Sequence, residues 1–234
     1  MMRNRIVGGG LAAVLALAGC QAGADPAPTL ETNDQKASYA IGLNMGGSLA
    51  EVSDRIDMVA LRAGIRDAME DADPRVPREE LQGVMEQFGR EVTEAQAAEM
   101  ASRGAENRER GQAYLAENAA RDGVSTTESG LQYEVMRPAD GPSPETGDRV
   151  RIHYRGTLVD GTEFDSSYQG GEPVVFGVDQ VIPGFSEALK LMEVGSQYRF
   201  VIPSDLAYGP QGTGGDIGPD ATLVFEIELL EIVE

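Results

Sequence analysis

The run Asp179-Gln180-Val181-Ile182-Pro183-Gly184-Phe185 limits what this chain can fold into more than any other stretch. Pro and Gly after two β-branched residues end an extended segment and open a helix, because proline is tolerated in a first helical turn. Phe185, Ala188 and Leu189 then stand at i, i+3 and i+4, one apolar face over two turns. Period-2 segments surround this short helix. Leu131, Tyr133 and Val135 alternate, as do Val150, Ile152, Tyr154, Gly156 and Leu158, then Tyr198, Phe200 and Ile202, and last Leu223, Phe225, Ile227 and Leu229. Asp160-Gly161 is a hairpin turn that returns through Thr162 to Asp165, making five strand-like segments. A half-barrel of such strands wrapped on one helix leaves an apolar cavity, with Val181, Ile182 and Phe185 on its wall.

Upstream the period changes to 3.6. Asn33 or Asp34 can cap a helix in which Ile41, Met45, Leu49 and Val52 share a face. Asp57 can cap a second, with Met58, Leu61, Ile65 and Met69 along one side, broken by Asp71-Ala72-Asp73-Pro74. Pro77 opens a third, with Glu79 and Glu80 in the first turn, where the helix dipole favours acids. No proline interrupts the segment until well past Asp122. Glu99/Arg103, Glu106/Arg110 and Glu117/Arg121 are i, i+4 pairs that support a continuous helix, and Gly104 and Gly111 mark a bend in it. Two short amphipathic helices bury little alone, so this region is expected to complete its core against a second copy, through residues 33–100. Met45, Met58, Met69, Met85 and Met100 serve either as core fillers or as a pliable surface for unfolded chains.

The extreme N-terminus carries Arg3 and Arg5 before an apolar run, residues 6–18, that is too short to span a bilayer and fits an export signal. It ends in Leu17-Ala18-Gly19-Cys20, similar to a bacterial lipobox, in which Cys20 would carry lipid; an ordinary cleaved signal ending near a cysteine is the alternative. Residues 21–32 read as a tether. Cys20 is the only cysteine, so an exported chain would have no disulfide, thiol nucleophile or cysteine-based metal site. A formal charge of -20 repels phosphate backbones and excludes nucleic acid as a natural partner.

Familiar catalytic machinery is scarce. The single histidine, His153, falls on the polar face of its strand, which argues for a solvated side chain rather than a triad or zinc centre. What remains is an aromatic pocket with one acid, Asp165, directly after Phe164. Such a pocket suits rotation about an X–Pro bond, which needs no nucleophile. That rotation passes through a twisted amide without resonance, over a barrier of about 18–20 kcal/mol. A dry cavity with a few fixed hydrogen bonds can hold the twisted form.

Tyr154-Arg155-Gly156, residues 160–167 (Asp-Gly-Thr-Glu-Phe-Asp-Ser-Ser), Val181-Ile182-Pro183-Gly184-Phe185, Leu206-Ala207-Tyr208-Gly209 and Ala221-Thr222-Leu223-Val224-Phe225 resemble FKBP-type peptidyl-prolyl cis–trans isomerases. Tyr39-Ala40-Ile41-Gly42 and Gly130-Leu131-Gln132-Tyr133 are similar to the exported Mip and FkpA branch of that family. The resemblance implies an α+β protein: an all-α dimerisation domain with a long connecting helix over 33–122, then an isomerase half-barrel over 123–234. It implies Asp165, Tyr154, Tyr208 and Phe225 as the catalytic set and Phe164, Val174, Val181, Ile182, Phe185 and Ile217 as substrate-binding residues. The Ile182 N–H and the Tyr208 hydroxyl would bind substrate carbonyls, with no cofactor or metal. It further implies a lipid-anchored homodimer in a Gram-negative cell envelope, acting on exported polypeptides. Three departures stand out: Phe185 replaces the usual Trp, Val174 lies where an aromatic is common, and Asp216 and Gly218 occupy a loop usually richer in apolar residues or Pro. A client-holding module with little catalysis is the competing reading, favoured by the Met-rich helices.

Overall fold

The structure, a computed structural model, describes residues 29–233, so the export signal and Cys20 lie outside the described residues. The chain forms two compact units that divide between Pro74 and Arg75.

In the first unit, α1 spans Asn33–Ser48 and α2 spans Met58–Met69. The cap of α1 is Thr32, not Asn33 or Asp34. Its side chain accepts from the Gln35 N–H while Gln35 returns a bond to the Thr32 backbone, a reciprocal capping box. Leu49 ends the helix, and Val52 lies in a separate 3-10 segment, so the expected four-residue stripe is cut short. Asp57 caps α2 as the sequence suggests, accepting from the Val59 and Ala60 N–H groups. No residue of either helix, or of the 3-10 segment between them, is buried.

The second unit begins with α3, one unbroken helix over Arg78–Ala119. Its 42 residues reach about 63 Å at 1.5 Å per residue. Only Gly104, Gly111 and Asn118 are buried in it, and the seven-residue spacing puts them on one side. Of the three expected ion pairs, Glu99–Arg103 forms at 2.7 Å. Arg110 turns instead to Asn107 Oδ1, and Arg121 to Glu134, because neighbours on and beyond the helix compete for both.

Seven strands follow, two more than the alternation reveals: β1 Val124–Thr126, β2 Gln132–Arg137, β3 Arg149–Leu158, β4 Glu163–Ser166, β5 Val174–Gly177, β6 Gln197–Ile202 and β7 Leu223–Val233. They form one antiparallel sheet in the order β1-β2-β6-β7-β3-β4. The strands that pattern reading misses, β1 and β5, are three and four residues long, too short to show a period. β4 and β5 share the outer edge of β3, β4 opposite Arg155–Thr157 and β5 opposite Arg149–Ile152. One short helix, α4 (Pro183–Leu191), buries Gly184, Phe185, Ala188 and Leu189 against the sheet. The segment before it is not a strand, since Val181 and Ile182 form an irregular turn into the helix. Phe200, Ile202, Leu223, Ile227 and Leu229 are wholly buried and anchor the core.

α3 docks by polar contacts on the sheet. Gln132 donates to the Leu115 carbonyl at 2.9 Å and accepts from Asn118 at 2.8 Å. Arg199 on β6 reaches Asn118 at 3.0 Å and the Tyr114 hydroxyl. Gln132 and Asn118 are both buried, so these bonds satisfy groups that would otherwise be costly to desolvate.

Candidate functional site

Tyr154 sits mid-strand on β3 with its ring toward α4, and its backbone is fixed from across the sheet edge. Ser167 Oγ accepts from the Tyr154 N–H at 2.9 Å and donates to the Tyr154 carbonyl at 3.2 Å. His153 Nδ1 lies 3.0 Å from the same Ser167 Oγ, within hydrogen-bond distance. His153 is therefore not a free solvated side chain. It is half-buried and stacks on Tyr168 at a 4.7 Å ring separation.

Around Tyr154 the aromatic rings meet edge to face. Phe185 at the foot of the cavity lies 5.0 Å from Phe225 at 84° and 6.2 Å from Tyr154 at 86°. Phe164 meets Phe225 at 5.6 Å and 82°. These are the geometries that ring quadrupoles favour, and they hold each wall rigid. Gly156 makes the arrangement possible. A Cβ there would come within 2.7 Å of the Phe164 ring and 2.8 Å of Phe225.

The result is a cavity of about 490 Å³ lined by Tyr154, Phe164, Asp165, Phe176, Gln180, Val181, Ile182, Phe185, Tyr208 and Phe225. Eight of the ten residues expected from the sequence are brought together there. Val174 and Ile217 are not on its wall. Val174 pairs with Ile152 and packs half-buried on the core, and Ile217 is buried beneath its loop. Two residues were missed. Phe176 supplies the aromatic wall where Val174 was expected to contact substrate, with its ring 5.7 Å from Tyr154 and 6.3 Å from Phe185. The unbroken apolar run Val174-Val175-Phe176 hides which residue faces inward. Gln180 gave no signal at all.

At the mouth, the Tyr154 hydroxyl donates to Asp165 Oδ2 at 2.5 Å. Burial raises the Tyr154 phenol well above its ordinary value of 10.0, helped by the bond to Asp165, its negative charge, and Tyr208 nearby. Tyr154 therefore stays a donor, and Asp165 is held in one orientation while its side chain remains open to solvent. The Ile182 N–H and the Tyr208 hydroxyl have no hydrogen-bond partner among the described residues, so both are available to a ligand. No three His, Cys, Asp or Glu side chains converge as a metal site among the described residues. A smaller groove of about 240 Å³ between Tyr114, Arg155, Arg199 and Glu226 is mainly polar.

An antiparallel sheet packed on one short helix, with this aromatic cavity between them, defines the α+β class of this domain. The chain belongs to the FKBP family: residues 141–230 match the FKBP-type peptidyl-prolyl cis-trans isomerase domain, and residues 34–135 match the domain amino terminal to it. It is 47% identical over 207 residues to the FKBP-type 22 kDa peptidyl-prolyl cis-trans isomerase of Escherichia coli, covering 88% of this chain and 98% of that one. It is 38% identical to the outer membrane protein MIP of Legionella longbeachae, covering 94% and 95% of the two chains. The crystal structure of FkpA from Escherichia coli superposes with a TM-score of 0.66 at 36% identity, covering 87% of this chain and 98% of that one.

Proposed function

We propose that this protein accelerates cis–trans isomerisation of X–Pro bonds in exported polypeptides. The observation that carries the reading is the aromatic cavity with the Tyr154–Asp165 pair at its mouth. A proline ring enters between Phe164, Phe185 and Phe225, where water is excluded. The Ile182 N–H and Tyr208 hydroxyl hold the flanking carbonyls, so the peptide keeps its place while one bond turns. The twisted amide has lost resonance and is less polar than the planar form, so a dry aromatic site favours it. Asp165, oriented by Tyr154, lies against the carbonyl that rotates out of plane. Uncatalysed rotation takes tens to hundreds of seconds, so proline-limited refolding of a client protein is the direct test. The wild type should abolish the slow phase and Asp165→Ala should leave it; a slow phase untouched by the wild type would refute the reading.

The helical region supports assembly as a homodimer through residues 33–100. Ile41, Met58 and Met69 are 60%, 57% and 82% exposed in the single chain, an unstable state for apolar stripes in water. Met85 and Met100, also exposed, favour a second activity, the holding of unfolded clients on pliable side chains. The two activities are compatible, since two cavities on one dimer add avidity for a single chain. The lipobox-like Cys20 and its leader favour lipid anchoring in the envelope, and Gln21 rather than Asp after Cys20 favours the outer membrane.

A further inference from the structure

The loop between Tyr208 and Thr222 forms one side of the cavity mouth through Tyr208. Its base is closed by a single backbone bond, from the Asp220 N–H to the Gly209 carbonyl at 2.8 Å, one residue from Tyr208. Asp220 adopts φ +54°, uncommon for a residue with a side chain, and is only 7% exposed. Nothing within the loop balances this buried carboxylate. The balance comes from α3: Arg108 Nη2 donates to Asp220 Oδ2 at 2.6 Å. One residue earlier on α3, Asn107 Nδ2 donates to the Pro219 carbonyl at 2.8 Å, with its own Oδ1 held by Arg110 at 2.8 Å. The fit is tight on both sides. A Cβ at Gly104 would come within 2.9 Å of Asp220 Oδ2, and one at Gly218 within 3.0 Å of Asn107 Nδ2.

We propose that Asn107 and Arg108 are positioning residues for the cavity, latching the base of the Tyr208 loop to the long helix. Removing Arg108 leaves the Asp220 carboxylate buried without its cation. It then turns toward water, Asp220 leaves its positive φ, and the bond to the Gly209 carbonyl is lost. Tyr208 is released from its place over the cavity. Asn107 and Arg108 touch no substrate; they act through the loop. One end of α3 therefore sets the order of the cavity mouth, and strain along the helix can reach it.

This inference rests on the isomerase reading only for its kinetic consequence, so the test has two arms. Amide hydrogen exchange over residues 206–222 is compared in the whole protein and in Asn107→Ala, Arg108→Ala and Arg108→Lys, alongside kcat and KM for a proline peptide. The latch predicts exchange at Tyr208–Thr213 accelerated about tenfold or more in the Ala variants, with β3, β6 and β7 unchanged and partial rescue by Lys. It also predicts KM raised about three- to tenfold with kcat nearly unchanged, as for lost uniform binding. Should Arg108→Ala fail to fold, Asp220→Asn breaks the same ion pair with a residue that tolerates positive φ. Loop exchange that stays at the wild-type rate, or that rises equally across the sheet, would overturn the latch. A wild type without isomerase activity would overturn only the proposed function, because the exchange arm still decides the latch.

Discussion

Tyr154 and Asp165 join two strands and set the chemistry of the cavity mouth. The bond between them, with burial of the ring, raises the Tyr154 phenol, and the sign of its effect on stability follows. An unfolded tyrosine loses its proton near 10.0, while the folded protein holds it higher, so this contribution is complete below that pH. It is lost as pH rises through the gap above it. Urea unfolding at about pH 8 and about pH 11 should show a smaller loss of stability in Tyr154→Phe than in the wild type. Equal losses would contradict the assignment. Tyr154 was legible as inward-facing because the alternation along β3 fixes its face, whereas Phe164 and Asp165 were legible as site residues only through the resemblance carried by residues 160–167. Phe176 was not, since three apolar residues in a row carry no alternation, and Ile217 was misplaced because its loop has no period at all.

The elements were read well where they are long and periodic. α2, α3, α4 and β3 fall where the pattern puts them, whereas β1 and β5 are too short to declare themselves. Gly104 and Gly111 show where sequence reasoning stops. A glycine in a helix weakens it equally whether it serves a bend or a close contact, and the partners here, Asp220 and Thr222, lie far along the chain. The contact gives a sharp prediction. Alanine at position 111 would gain about 1 kcal/mol of helix propensity, but its Cβ would stand 2.3 Å from Thr222 Oγ1. Overpacking of this kind costs about 1–3 kcal/mol, so Gly111→Ala should lower the thermal midpoint. A raised midpoint would mean that the helix does not rest on the sheet as described.

At the scale of the molecule, the proposed dimer explains why α1 and α2 bury nothing in a single chain. Sedimentation should find the wild type as a dimer and Ile41→Asp as a monomer; a wild type that sediments as a monomer would leave the exposed stripes to another partner. Dimerisation, client holding and catalysis are separable, and the central claim concerns catalysis. Its most direct measurement is NMR exchange between the cis and trans forms of a short X–Pro peptide, with the wild type, Asp165→Ala and Phe225→Ala. Fast exchange with the wild type, lost or strongly reduced in both variants, is the predicted result. Exchange no faster than in buffer while the peptide still binds would contradict it, and the cavity would be a grip for polypeptides rather than a catalyst.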